Sequence, residues 1–280
     1  MLCPTRERPE NVLRLLHTAK STSADFKKLE FLFFVDSDDQ SFPNREIREF
    51  GNTVKIIRGP RQWLSNAHNI LYNSASGEIL MTAGDDMSFE SDKWDNIVRA
   101  HFESSSDKIS LLFGDDKATH SGKLAVHGFF HQHWIHVVGT WVQPGRGSLW
   151  DFWSFTNALI LKRLTFQPKL IIPHIHYRQG KGAAKFDQTY KSTYKSNKSF
   201  RPEITFKLLE RERRIDRILL REAMDTDPPI ERRYVLSEIL NRKVKGVDSR
   251  RLLSMSNSQV LIWCMKFPFL RILDRTFSRR

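Results

Sequence analysis

Short apolar runs alternate with longer amphipathic stretches through the first two thirds of the chain. Pro9 to about Thr18 carries Val12, Leu13, Leu15 and Leu16 as an apolar stripe behind a proline, which predicts a helix starting at Pro9. Leu29 to Val35, apolar apart from Glu30, reads as a strand covered on both faces, and it ends in Asp36-Ser37-Asp38-Asp39. Val54–Ile57 reads as a strand, Leu64–Asn73 as a helix, Glu78–Thr82 as a strand, Trp94–Phe102 as a helix and Ile109–Phe113 as a strand. Before all of these, Leu2-Cys3 ends a very short first strand and Pro4-Thr5-Arg6 forms a loop. Phe129–Val138 is aromatic and rich in histidine, Trp150–Arg163 reads as a helix, and Leu170–Pro173 is a last strand that enters His174-Ile175-His176.

This rhythm predicts an α/β domain over residues 1–200, with a mostly parallel sheet flanked by helices. Residues 201–280 follow as a basic helical extension. Neither an internal repeat nor a low-complexity linker divides the chain.

Composition narrows the class. With 280 residues, 40% hydrophobic, the chain buries one sizeable core and a small appendage. Mean hydropathy is −0.47, and no apolar run is long enough to span a bilayer. The start, Met1-Leu2-Cys3-Pro4-Thr5-Arg6, has no apolar signal core, which predicts a cytoplasmic protein. The two cysteines, Cys3 and Cys264, make neither a disulfide framework nor a zinc site. Charge is uneven: residues 162–280 carry 28 Lys and Arg against 12 Asp and Glu, and residues 1–161 carry 17 against 20. A basic second half suits an anionic partner, or else a solvated helical face.

The candidate chemistry lies at the strand ends. Asp36/Asp38/Asp39, Asp85/Asp86 and Asp115/Asp116 each follow an apolar run. Parallel neighbours would gather them on one edge, where open α/β sheets bind ligands. Adjacent carboxylates repel unless a cation sits between them, and a divalent ion on phosphates is the usual answer. In a strand, His174 and His176 would face the same side, and a neutral imidazole is a metal ligand. Gly180-Lys181-Gly182 adds a flexible cationic loop, and Asp187 follows.

In four stretches the chain resembles GT-A-fold glycosyltransferases of the family-2-like, bacterial or phage type, which use nucleotide-diphosphate sugars. These are Cys3-Pro4-Thr5-Arg6-Glu7-Arg8-Pro9; Phe34-Val35-Asp36-Ser37-Asp38-Asp39; Asn66 through Gly77-Glu78-Ile79-Leu80-Met81 to Gly84-Asp85-Asp86; and His174-Ile175-His176 with Gly180-Lys181 and Asp187-Gln188-Thr189-Tyr190. The resemblance implies a GT-A (Rossmann-like) mixed sheet, a UDP- or GDP-sugar donor, and Mn²⁺ or Mg²⁺ on its diphosphate. It implies metal binding by Asp86, His174 and His176, with Asp85 facing the metal or sugar. Asp36 would read the base imide. Pro4, Thr5, Arg6, Arg8, Arg58, Asn66 and Lys181 would line the nucleotide site. Asp151 would be the general base of an inverting reaction, and one or two of Trp134, Trp141, Trp150 and Trp153 would touch sugar or acceptor. A glycan or lipid-linked glycan is the implied acceptor.

Two features depart from that pattern. Ala83 stands where the family has a further acid, and the first strand is nearly absent. After residue 200, Arg211, Arg213, Arg214, Arg217 and Arg221 would form a basic helix face. Ile262–Arg271 mixes aromatics with cations, which suits packing on the domain, closing a dimer, or a peripheral contact at the inner membrane face. Three rival readings stand beside the transferase. A nucleic-acid-binding protein would use the basic half with Tyr190, Tyr194 and Phe200, but no specific nucleic acid is expected, because the cations are spread. A nucleotidyltransferase would show a Gly-rich phosphate loop, which Pro4-Thr5-Arg6-Glu7 is not. A GT-A domain that binds without catalysing is the third.

Overall fold

The computed structural model describes residues 1–117, 122–141, 150–175, 186–191, 206 and 209–224. Seven strands form its centre: β1 (Leu2–Thr5), β2 (Phe31–Asp36), β3 (Val54–Gly59), β4 (Ile79–Met81), β5 (Leu111–Asp115), β6 (Gly128–His131) and β7 (Leu164–Ile171). They make a parallel sheet, β1-β2-β3, and a mixed sheet, β4-β6-β5-β7. A parallel bridge between Leu2 and Thr82, with the Ala83 N–H donating to the Leu2 carbonyl at 3.0 Å, joins the two. Only β6 runs against its neighbours, pairing antiparallel with both β4 and β5. The carboxyl ends of the other strands therefore share one edge, as the acidic clusters required.

Period-two alternation decides what each face meets. Cys3, Phe31, Phe33 and Val35 face one core. There α1 (Pro9–Thr22) buries Val12, Leu15, Leu16 and Ala19, and α3 (Trp94–Glu103) buries Trp94, Val98 and Phe102. Leu2, Leu32 and Phe34 face the other core, under α2 (Leu64–Asn73) and α4 (Gln132–Val138). Each face of β2 is covered, so the strand is apolar throughout.

Three expectations about elements change. β1 extends through Pro4 and Thr5, where a loop is expected. Met1 and Leu2 carbonyls accept from Leu32 and Ala83 respectively, so alternate residues turn to opposite neighbours. Pro4 turns to the β4 side, where the ladder has only the Leu2–Thr82 bridge, so its missing N–H costs no bond. The last strand begins at Leu164 rather than Leu170. Gly114 pairs with Gln167 but Asp115 with Ile171, and this bulge loops out Pro168, the residue that hid the strand. Finally, α6 (Glu210–Met224) does not present one basic face. Arg213 is buried over the rings of Phe206 and Trp153, and Arg217 bonds Asn157 and Glu210, while Arg214 and Arg221 stay exposed. Leu219, Leu220 and Ala223 join the core under α4. This part of the extension thus belongs to the domain's packing.

The tryptophans are also mostly structural. Trp134, Trp141 and Trp153 are buried, with Trp141 stacked on Tyr72 and the Trp153 indole N–H donating to Asp216 at 2.8 Å. The Trp150 side chain lies outside the described residues.

The bulge makes Gly114 a point of close approach. A Cβ there would lie 2.0 Å from the Leu170 carbonyl oxygen and 2.9 Å from Leu170 Cγ. The backbone of β7 cannot give way without loosening its pairing. Gly114→Ala is expected to cost about 1–3 kcal/mol, read as a lowered urea midpoint; an unchanged midpoint would contradict the close approach.

Candidate active site at the carboxyl edge of the sheet

β1, β2, β4 and β5 deliver their polar tips to this edge. After β4, the turn Gly84-Asp85-Asp86 buries both carboxylates. Taking two adjacent negative charges out of water is expensive unless each has its own partners, and each has. Asp85 accepts from the Thr5 hydroxyl at 2.6 Å and from Arg8 Nη1 at 2.9 Å. Arg8 also makes a two-pronged bond to Asp187, at 2.7 and 3.0 Å, and its guanidinium lies 4.2 Å over the Tyr190 ring. Asp86 Oδ2 accepts from the Tyr190 hydroxyl at 2.7 Å and lies 3.3 Å from His174 Nε2.

His174 arrives from the other side of the edge. Beyond β7, the Ser88 N–H donates to Pro173, the His174 N–H to Asp116 and the Ile175 N–H to Asp86, all through backbone carbonyls. Met87 and His174 form an antiparallel bridge. These bonds clip the segment after β7 onto the turn after β4 and bring the imidazole to the carboxylate.

A third ligand-type group joins them. His127, just before β6, is buried with its ring 4.9 Å from that of His174, at 81°. One ring nitrogen is engaged by the Thr82 backbone, while Nε2 is buried with no hydrogen-bond partner among the described residues. Donor atoms of Asp86, His127 and His174 all lie within 4.8 Å of one another. Gly84 leaves them room: a Cβ there would sit 2.5 Å from Asp86 Oδ1 and 3.3 Å from His127 Cε1.

The electrostatics separate the two acids. Burial pushes Asp86 up, but the His174 hydrogen bond and charge, with help from His127 and Tyr190, outweigh it and hold Asp86 below the usual carboxylate range. Burial raises Asp85, reinforced by the neighbouring Asp86 charge and opposed by Arg8 and Thr5. Burial would lower His174, yet Asp86 keeps it above its ordinary value. Burial drives His127 down to about 3, aided by His174, so it is a neutral ring with a free lone pair at neutral pH.

The remaining predicted positions distribute unevenly. Arg6 bonds Asp36 at 2.8 Å and also grips Asp38, making a donor–acceptor pair at the tip of β2. Asp39 is buried and organises the loop, accepting from the Glu7 N–H and from both the N–H and hydroxyl of Ser41. Arg58 donates to the Asp39 carbonyl and Asn44, so it braces this loop. Pro4 lies within β1 opposite Phe34. Asn66 is exposed on α2. Asp151 lies in the first turn of α5 (Trp150–Ile160), close enough for its charge to raise His174. His176 and Lys181 lie outside the described residues. Among the described residues a group that was not expected, His127, stands beside Asp86 and His174. Nothing in Val126-His127-Gly128 signals this, because the ring reaches the cluster through β6 pairing between β4 and β5.

No family model matches the sequence, and no curated protein matches it. Solved structures do. The chain is similar to the mannosyltransferase PcManGT from Pyrobaculum calidifontis, solved with GDP-Man and Mn²⁺. The identity is 10%, with 99% of this chain and 86% of that one covered and a TM-score of 0.54. TarS residues 1–349 from S. aureus, solved with UDP, gives 13% identity, 94% and 76% coverage, and a TM-score of 0.51. GalNAc-T7, solved with UDP, GalNAc and Mn²⁺, gives 14%, 85% and 56%, and 0.52. The chain has the GT-A fold.

The neutral buried rings predict acid sensitivity. His68, like His127, is buried and pushed down to about 3, by burial first and then by His127. The ordinary histidine value is 6.5, so as pH falls the unfolded chain takes up protons first. The stability these rings contribute is full above pH 6.5 and drains away towards pH 3. His174 has the opposite sign: its contribution is present below 6.5 and is lost as pH rises through its elevated folded value. Urea midpoints should fall steadily from pH 6.5 to 5, and less steeply in His68→Leu; equal slopes would contradict a neutral buried His68.

Proposed function

We propose that this chain transfers a sugar from a nucleotide-diphosphate sugar to a hydroxyl acceptor, inverting the anomeric centre, with a divalent ion at Asp86, His127 and His174. The observation that carries this reading is His127 Nε2, a buried lone pair without a partner among the described residues, inside a carboxylate–imidazole cluster. One carboxylate oxygen and two imidazole nitrogens at these mutual distances suit a divalent ion. Two imidazoles favour Mn²⁺ over Mg²⁺, which prefers all-oxygen shells. When bound, the ion supplies Lewis-acid charge to the departing diphosphate. The GDP-Man, UDP and Mn²⁺ held by the structural neighbours support a UDP- or GDP-sugar as donor.

The chain's own residues take the other roles. Asp36, oriented by Arg6, accepts a base N–H while the guanidinium donates to the neighbouring base carbonyl. Arg8 bonds Asp85 in the acidic turn, and Asp187 and Tyr190 hold Arg8 and Asp86 respectively. A diphosphate reaching this edge replaces Asp187 on Arg8, one anionic acceptor for another. Asp151 takes the acceptor hydroxyl proton as the acceptor oxygen bonds to the anomeric carbon. The bond from that carbon to the phosphate oxygen breaks at the same time, and its electron pair leaves with the nucleoside diphosphate. The acceptor is a glycan or lipid-linked glycan on the cytoplasmic side; Phe152, exposed beside Asp151, suits a sugar's apolar face.

A thermal-shift panel of UDP, GDP, CDP and TDP, each with and without Mn²⁺, tests the site. One diphosphate should stabilise the protein only with Mn²⁺, and Asp86→Ala and His127→Asn should each abolish that gain; a flat panel would sink the proposal. Asp151→Asn should keep the donor-induced shift and lower kcat by about 10²–10⁴-fold. Product of retained anomeric configuration would overturn the single displacement.

A further inference from the structure

α5 carries Asp151 in its first turn, and α6 holds α5 by the opposite side. Residues four apart share a face of a helix, whereas residues two apart are turned about 200° from each other. Trp153 and Asn157 form one such pair and are 7% and 1% exposed. Asp151 and Phe155 form the other, and Phe155 meets Phe113 of β5 edge to face, with ring centroids 6.5 Å apart.

α6 bonds both members of the buried pair. Asp216 Oδ2 accepts from the Trp153 indole N–H at 2.8 Å, and both side chains are buried. Arg217 Nη1 donates to Asn157 Oδ1 at 3.1 Å, while its Nη2 donates to Glu210 at 2.7 Å. One turn earlier, the buried Arg213 guanidinium lies 5.3 Å over the Trp153 ring. Apolar contacts tolerate small rotations of a helix, but buried polar bonds do not, because a broken one leaves desolvated groups unpaired. Two of them, one turn apart on α5, fix its rotation about its own axis.

That rotation matters to Asp151, whose charge reaches His174. A side-chain tip lies about 5–6 Å from the helix axis, so a turn of about 10° moves it by about 1 Å. A misplacement of that size can cost about 10²-fold in rate.

We propose that Asp216 and Arg217 are positioning residues for the transfer: acting through Trp153 and Asn157, they hold α5 in the rotation that aims Asp151 at the acceptor hydroxyl. This rests on the reading of Asp151 as the base. Asp86 and His174 are held instead by backbone bonds between the turn after β4 and the segment after β7. Donor affinity therefore does not depend on the α5–α6 bonds, and the rate of the chemical step does.

The test uses the full chain with UDP-N-acetylglucosamine and with GDP-mannose, each with Mn²⁺ and water as the acceptor, and counts the nucleoside diphosphate released. Asp216→Leu and Arg217→Met should each lower kcat by about 10–10²-fold, leaving KM and the donor-induced thermal shift unchanged. In an Asp151→Asn background the same substitutions should cost nothing further, because they act through Asp151. An unchanged kcat, a raised KM in place of a lowered kcat, or an equal loss with and without Asp151 would overturn the proposal. Should Asp216→Leu not fold, Arg217→Met, at a partly exposed side chain, decides alone. No turnover by the wild type, or a wild-type rate in Asp151→Asn, would overturn the transferase reading and this proposal together. Turnover that needs Asp151 but neither Asp216 nor Arg217 would overturn this proposal alone.

Discussion

The structure depends on keeping two neighbouring carboxylates out of water. Asp85 and Asp86 are both buried, and an uncompensated buried charge costs several kcal/mol. Their peptide bond cannot separate them, so the fold sends a different cation to each. Arg8 and Thr5, from the first strand and the turn after it, serve Asp85. His174, from the far side of the sheet, serves Asp86. The segment beyond β7 is pinned to the turn by backbone bonds that leave little freedom to that imidazole. Much of the tertiary arrangement at this edge follows from that electrostatic requirement.

The same edge combines rigid and exchangeable contacts. Gly84 and Gly114 sit where any side chain would strike a carboxylate or a backbone oxygen, so the turn and the β5–β7 bulge have one packing. Asp187 and Tyr190 are held differently. They reach Arg8 and Asp86 through hydrogen bonds and a cation over a ring, from a short half-exposed stretch, 186–191. The Arg8–Asp187 bond is of a kind that can be traded for another anion's oxygens at small net cost, because one charge-assisted acceptor replaces another. The scaffold is therefore fixed while the contact covering Arg8 is replaceable.

β4 is three residues long and separates two unlike environments. Its carboxyl end opens into charged, hydrogen-bonded groups. Its amino end borders a cavity of about 280 Å³ between the sheet and α3. α3 lies over that cavity, and Trp94 stacks on Phe89, in the loop that leaves the acidic turn. The two ends thus share a strand and one aromatic stack.

Much was legible in the sequence because local rules decided it. The buried strand before Asp36, the helix beginning at Pro9, the helix over Leu64–Asn73 and the strand-end acids follow from apolar period, proline placement and chain direction. Parallel strands carry their acids to one edge, so Asp36, Asp86 and Asp115 could be grouped without coordinates. Other features came only from tertiary structure. β7 was hidden by Pro168, which a bulge opposite Gly114 accommodates. The basic helix face dissolved because Arg213 finds two aromatic rings and a carbonyl, partners that no local spacing announces. His127 joined Asp86 and His174 because one antiparallel strand is inserted between two parallel ones. The sequence by itself settled which elements form and where their charges collect, since propensity and periodicity act over a few residues. Only the tertiary structure decided which histidine faces which carboxylate, since that depends on strand order across the sheet.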